Sequence, residues 1–190
     1  MSEIIDIVDI NGNPTGETVD REYAHLNGIW HRTAHLWLVR KKEGHTQILL
    51  QKRSENKESY SGCYDISSAG HIPAGVDYKA SAIRELKEEL GIDAKEENLI
   101  FCGERKVISD KCFFGKQFHD RQHSRVFIMW LDLSEEEFSI SEDEVESVCW
   151  MDFEQCCQGV ENNLFKNCIS MDELQILKKV LEHESNREKR

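Results

Sequence analysis

The sequence lacks the cysteine patterns that staple a small secreted fold or hold a structural zinc. Its 190 residues include seven cysteines, an odd number, with Cys156 and Cys157 adjacent and no C-x-x-C pair. Neither a disulfide framework nor a zinc knuckle follows, so reduced thiols in a cytoplasmic protein are expected. Long apolar runs are missing too. Glu3, Asp6 and Asp9 interrupt the N-terminal stretch, so no signal peptide is expected, and no segment approaches the ~20 apolar residues of a membrane span. Positive charge is scarce: 24 Lys and Arg face 36 Asp and Glu, a formal net charge of −12. That balance argues against non-specific attachment to nucleic acid or anionic membrane. Repeats, low-complexity tracts and linkers are absent as well, and the length suits about one domain with a real core.

What is present is concentrated in Gly70–Ile92, GHIPAGVDYKASAIRELKEELGI. A glycine-rich turn runs into a helix carrying Glu85, Glu88 and Glu89, and Gly91 ends it. Carboxylates at i, i+3 and i+4 of a helix fall on one face. Ala82, Ile83, Leu86 and Leu90 occupy an adjoining arc that can face a core. Crowded carboxylates repel unless a cation sits among them, and a hard ion such as Mg²⁺, shared with substrate phosphates, suits oxygen ligands. The competing reading is a solvated helix face, with Arg84 and Glu88 as an i, i+4 pair.

Elsewhere the chain alternates strand and helix signals. Residues 3–20 read as a hairpin around Asn-Gly-Asn-Pro, and 21–30 as a loop. Strands are expected at 31–40, where His31 and His35 share a face, and at 47–53, 64–69, 98–109, 125–133 and 145–151. Residues 54–62 and 134–144 read as polar or acidic loops, and 110–122 as a long turn or flap. Helices are expected near 152–158 and at 171–185, where Leu174, Leu177 and Leu181 share a side. This order implies an α+β fold, an α/β/α sandwich with a mixed sheet flanked by helices. Within one domain spanning 1–190, residues 1–28 form the N-terminal β-hairpin and loop, 29–160 the core and 161–190 the C-terminal helical segment. The hairpin could support a homodimer.

The central stretch resembles the Nudix box, G-x5-E-x7-R-E-U-x-E-E-x-G-U with U a bulky aliphatic. Gly70, Arg84, Glu85, Leu86, Glu88, Glu89, Gly91 and Ile92 match at the right spacing. The first box Glu is replaced by Val76, so Arg84 needs another partner, with Asp77 the nearest acid in sequence. The resemblance implies a Nudix fold and a hydrolase that splits a small-molecule diphosphate with Mg²⁺ or Mn²⁺. Gly70, Glu85, Glu88 and Glu89 are then the metal site, and Arg84 and Gly91 shape the box. Glu88, Glu89 or Glu144 would take the proton of the attacking water.

The remainder resembles one branch of this superfamily, that of type I isopentenyl-diphosphate isomerase. By that likeness Arg53 and Lys57 fall at diphosphate-binding positions, His31 and His71 line the pocket, and His25 lies near a further metal-binding histidine. Glu142 and Glu144 match a pair of acids. The isomerase's catalytic cysteine aligns with Ser68, and neither Ser67 nor Ala69 supplies a thiol. A serine is a poor substitute for that chemistry, so hydrolysis is favoured over isomerisation. The third possibility is a non-catalytic domain that senses a phosphorylated metabolite, with Val76 marking decay of the box.

Overall fold

In the computed structural model, residues 3–57 and 59–187 are described. Positions 1–2, 58 and 188–190, which belong to the expected hairpin, polar loop and C-terminal segment, lie outside the described residues. The order is β1 (Ile4–Val8), β2 (Pro14–Asp20), α1 (Arg21–Asn27), β3 (His31–Lys42), β4 (His45–Arg53), β5 (Tyr64–Asp65), β6 (Ser68–His71) and α2 (Tyr78–Leu90), followed by β7 (Ile100–Phe113), β8 (Lys116–Trp130), β9 (Val145–Asp152), α3 (Phe153–Glu161) and α4 (Met171–Arg187).

β3 is the hub. It runs antiparallel to β6 over Thr33 to Leu36 and to β4 over Val39 to Lys42. Along its other edge it runs parallel to β8, with His31 opposite Gln122 and Val39 opposite Trp130. β7 and β9 extend the sheet as antiparallel partners of β8 and β4. The β1–β2 hairpin joins through the Ile7–His31 pair. The sheet is therefore mixed, as expected. Ser67 ties its middle together: its Oγ donates to Leu49 O (2.7 Å) and accepts from Leu38 N (2.8 Å).

Strand alternation sends successive β3 residues to opposite faces. Ala34, Leu36 and Leu38 pack with Ala82, Leu86 and Leu90 of α2. Trp37 and Val39 pack with Phe153 and Cys156 of α3 and Leu174, Leu177 and Leu181 of α4. Each face is thus covered by helix, the α/β/α arrangement. Leu86 and Leu177 are fully buried, and trimming such a leucine to alanine costs about 2–5 kcal/mol.

Two expectations are corrected. Residues 21–30 are not simply loop, because Arg21–Asn27 is helical. The Asp20 side chain caps it by accepting from Tyr23 N, and Gly28 closes it at φ 63°, in the left-handed region that suits glycine. Residues 110–122 are not a flap. From Gly103 onward the β7–β8 ladder continues without a break to Phe113–Lys116, and only Phe114 and Gly115 turn. Its outer half is exposed, so it lacks the apolar alternation that marks a half-buried strand.

Candidate active site

α2 begins where Asp77 accepts a hydrogen bond from Lys79 N and ends where Gly91, at φ 72°, bonds Lys87 O. Asp77 is therefore an N-cap, not the substitute partner of Arg84. The guanidinium of Arg84 instead bonds Glu85, Glu88 (2.7 Å) and the carbonyl of His71 (3.5 Å), with Glu3 of the N-terminal segment 4.0 Å away. With Val76 unable to pair with Arg84, an acid from the N-terminal segment stands nearby instead.

The three box carboxylates do not all face the same way. Glu88 is more than half exposed and pairs with Arg84. Glu85 and Glu89 turn inward. Glu85 lies against Gly70 so closely that a Cβ at position 70 would sit 2.1 Å from the Glu85 carboxyl carbon. That close approach explains the glycine. Burial pushes the Glu85 carboxyl up to about 7, with Arg84 opposing and Glu88 and Glu3 adding to the rise. Glu89 also rises to about 7, through burial first and then the nearby Glu85, while Ser68 and Lys57 pull the other way. Its Oε2 and the Ser68 Oγ are buried without completing a hydrogen bond. Two inward carboxylates with an unpartnered oxygen are a fitting seat for a hard divalent cation.

The loop after β4 supplies cations. Lys57 bonds Glu144, and its charge reaches Glu89 and Glu85; burial and the adjacent Arg53 lower its pKa. Arg53 is largely committed elsewhere. It donates to the Ser59 carbonyl twice (3.2 and 3.1 Å) and to Asp65 (3.0 Å), so it shapes the loop that presents Lys57. Glu144 meets the site through Lys57, and its backbone carbonyl accepts from Ser54 N.

A second cluster lies across β6. Because β6 alternates, Gly70 faces α2, whereas Ala69 pairs with His35 and His71 with Thr33 on the α4 side. There His71 meets His25 of α1 (Nε2 to Nε2, 2.9 Å) and His31 of β3, with ligand atoms of all three within 4.8 Å of one another. Asp120 of β8 lies 3.7 Å from His25 Nδ1 and 4.0 Å from His31 Nε2. All three of these atoms (His25 Nδ1, His31 Nε2 and Asp120 Oδ1) are buried without a hydrogen-bond partner. Burial lowers His25 to about 3 and His31 to about 4, and drives His71 well below its ordinary value. Neutral imidazoles with free lone pairs beside a carboxylate can hold a transition-metal ion, for which nitrogen donors are better suited than for Mg²⁺.

Of the residues singled out by the likeness to the isomerase, the structure brings His25, His31 and His71 together, with Asp120 beside them, whereas Glu144 is held by Lys57. Asp120 was missed because a lone acid in an apparent flap carries no signal. Arg21 was missed as well. It bonds Glu3 (3.2 Å), and its charge acts on Glu85, His25, His31 and His71, so it stands at the junction of both clusters. Ser68 faces Glu89, not the histidines, and the residue that does face them, Ala69, carries no thiol either.

Comparison with known proteins bears on the family and the fold. The model of the NUDIX domain matches residues 30–167. An uncharacterised Nudix hydrolase of Clostridium acetobutylicum is 33% identical over 162 residues, covering 85% of this chain and 76% of that one. The isopentenyl-diphosphate Delta-isomerase 2 of Photorhabdus laumondii is 30% identical over 153 residues, covering 80% and 78%. Among solved structures, a C. elegans Ap4A hydrolase aligns with a TM-score of 0.56 at 20% identity, over 80% of this chain and 98% of that one. That likeness is one of fold. Among the described residues no helix is long and apolar enough to cross a membrane.

Proposed function

From the premise that this chain belongs to the Nudix family, we propose that it is a Mg²⁺-dependent pyrophosphohydrolase. Its substrate is a nucleoside diphosphate derivative or another small organic diphosphate. The observation that carries the reading is the inward pair of half-buried Glu85 and buried Glu89, both held up at about 7, with Glu85 against Gly70. Carboxylates in that condition are poised to exchange protons for a cation.

Glu85 and Glu89 would hold the ion, with Glu88 reaching it from the rim after releasing Arg84. An ion held there would supply charge neutralisation of the phosphates and a lowered pKa for the attacking water. Lys57 and Arg21 draw the diphosphate in and offset the charge that develops on its oxygens. Glu89, through the carboxylate oxygen not given to the ion, accepts the proton of the attacking water; Glu144, once Lys57 has turned to the substrate, is the other base within the loop. Arg84 and Gly91 keep the box in shape. Mn²⁺ fits the same oxygen donors. The test is the formation of cleaved phosphorylated products from a panel of diphosphates, followed by ³¹P NMR, with the wild type and with Glu89→Gln. Undiminished cleavage by the variant would remove Glu89 from the chemistry.

A second reading, isopentenyl-diphosphate isomerisation, is favoured by one observation, the His25–His31–His71–Asp120 pocket, together with the isomerase relative. The absence of a thiol at Ser68 and Ala69 weighs against it. Proton NMR of isopentenyl diphosphate with the protein separates the two: isomer formation with the diphosphate intact would favour this reading.

A further inference from the structure

The C-terminal helix carries one buried charge that the site chemistry above does not use. Glu173, in the first turn of α4, is 1% exposed. Its carboxylate accepts from His35 Nδ1 (2.9 and 3.0 Å), Trp37 Nε1 (2.9 Å) and Arg105 Nη1 (2.7 Å). Burial opposes its ionisation, but His35, Arg105 and Trp37 outweigh burial and hold the carboxyl at about 2. A buried carboxylate this fully partnered is costly to assemble, and it lies on a route to the histidine pocket. His35 Nε2 is 3.4 Å from Thr33 Oγ1, which bonds Ser124 Oγ (2.7 Å) and donates to Gln122 Oε1 (3.3 Å). Gln122, His35 and Arg105 each favour the ionised form of Asp120. Thr33 donates to the Gln122 carbonyl oxygen, which leaves the Gln122 amide nitrogen for the Asp120 side.

We propose that Glu173 is a positioning residue for the histidine pocket. From α4 it fixes His35 and Arg105 in the pocket wall and, through Thr33 and Gln122, aims Asp120 at His25 and His31. The proposal rests on reading that pocket as a cation site. It gives the C-terminal helix a role beyond covering the sheet: the first turn of α4 sets the orientation of a ligand about which the Nudix box is silent. Outer partners that orient metal ligands commonly change affinity by about 10- to 100-fold when removed.

The test uses the full chain and Co²⁺ alone, whose visible absorption reports the number and kind of its ligands. The wild type is expected to give a spectrum that His31→Ala abolishes. Glu173→Gln is expected to weaken Co²⁺ binding by about tenfold or more and to alter the spectrum. Leu177→Ala, which loosens α4 without touching the network, is expected to leave both unchanged. If Glu173→Gln does not fold, Arg105→Gln, which removes one of the carboxylate's three partners, is expected to shift binding in the same direction. Equal affinity in wild type and Glu173→Gln would overturn the positioning role, as would an equal loss in Leu177→Ala. A wild type with no histidine-dependent spectrum would instead overturn the cation reading, and the proposal with it.

Discussion

Replacing Glu89 by glutamine should stabilise the cation-free protein, and by an amount that depends on pH. Glu89 is 6% exposed, and its carboxyl titrates near 7 instead of the ordinary 4.5. An acid whose pKa is higher in the folded than in the unfolded chain binds more protons when folded. Its contribution is favourable below about 4.5 and is lost as pH rises through about 7. At about 1.4 kcal/mol per pH unit, the loss amounts to about 3 kcal/mol. Glutamine preserves the shape and cannot ionise. The gap between the two proteins should open from near zero at pH 4.5 to about 3 kcal/mol at pH 8. For a chain of this length that is about 6–12 °C in Tm. The assay is thermal unfolding in chelator at both pH values. Adding Mg²⁺ at pH 8 should then raise the wild type and leave the variant nearly unmoved. A gap of equal size at both pH values would refute the reasoning, because it would mean that Glu89 is not held protonated by its surroundings.

Other outcomes follow from the same geometry. Mg²⁺ affinity should rise between about pH 6 and 8, as Glu85 and Glu89 surrender the protons held at about 7; calorimetric titrations that show a flat profile would contradict this. Gly70→Ala should abolish activity while the protein remains folded, since the added Cβ would meet the Glu85 carboxyl; full activity with ordinary Mg²⁺ binding would refute it. Lys57→Ala should raise KM by about 10- to 100-fold, the worth of a charge-assisted contact to phosphate, with a smaller effect on kcat. Steady-state kinetics decide that, and an unchanged KM would remove Lys57 from substrate binding.

How much was legible beforehand differs by element. The box helix was, because its glycine-rich entry, its leucines at four-residue spacing and its terminal glycine all agree locally, although the capping role of Asp77 emerged only from the structure. The sidedness of its acids was only half legible. Spacing placed Glu85, Glu88 and Glu89 together, but the sheet decides which carboxylates turn inward, and Arg84 draws Glu88 out. α1 has just two turns and no periodic stripe, yet Asp20 and Gly28 bracket it at cap positions and could have revealed it. The outer β7–β8 hairpin was hidden because an exposed ladder is held by backbone bonds, which leave no apolar pattern. Asp120 and Glu173 were beyond reach for a related reason. Their partners lie 89 and 138 residues away in sequence, for His31 and His35 respectively, and a single acid announces nothing until the fold brings histidines to it.

The most direct test of the account is ³¹P NMR of the protein with Mg²⁺ and a panel of nucleoside diphosphate sugars, nucleoside triphosphates and isopentenyl diphosphate. The account predicts new monophosphate or pyrophosphate resonances from at least one organic diphosphate with the wild type, and none with Glu89→Gln. Isopentenyl diphosphate converted to its isomer with the diphosphate intact, while every other compound stays whole, would contradict it.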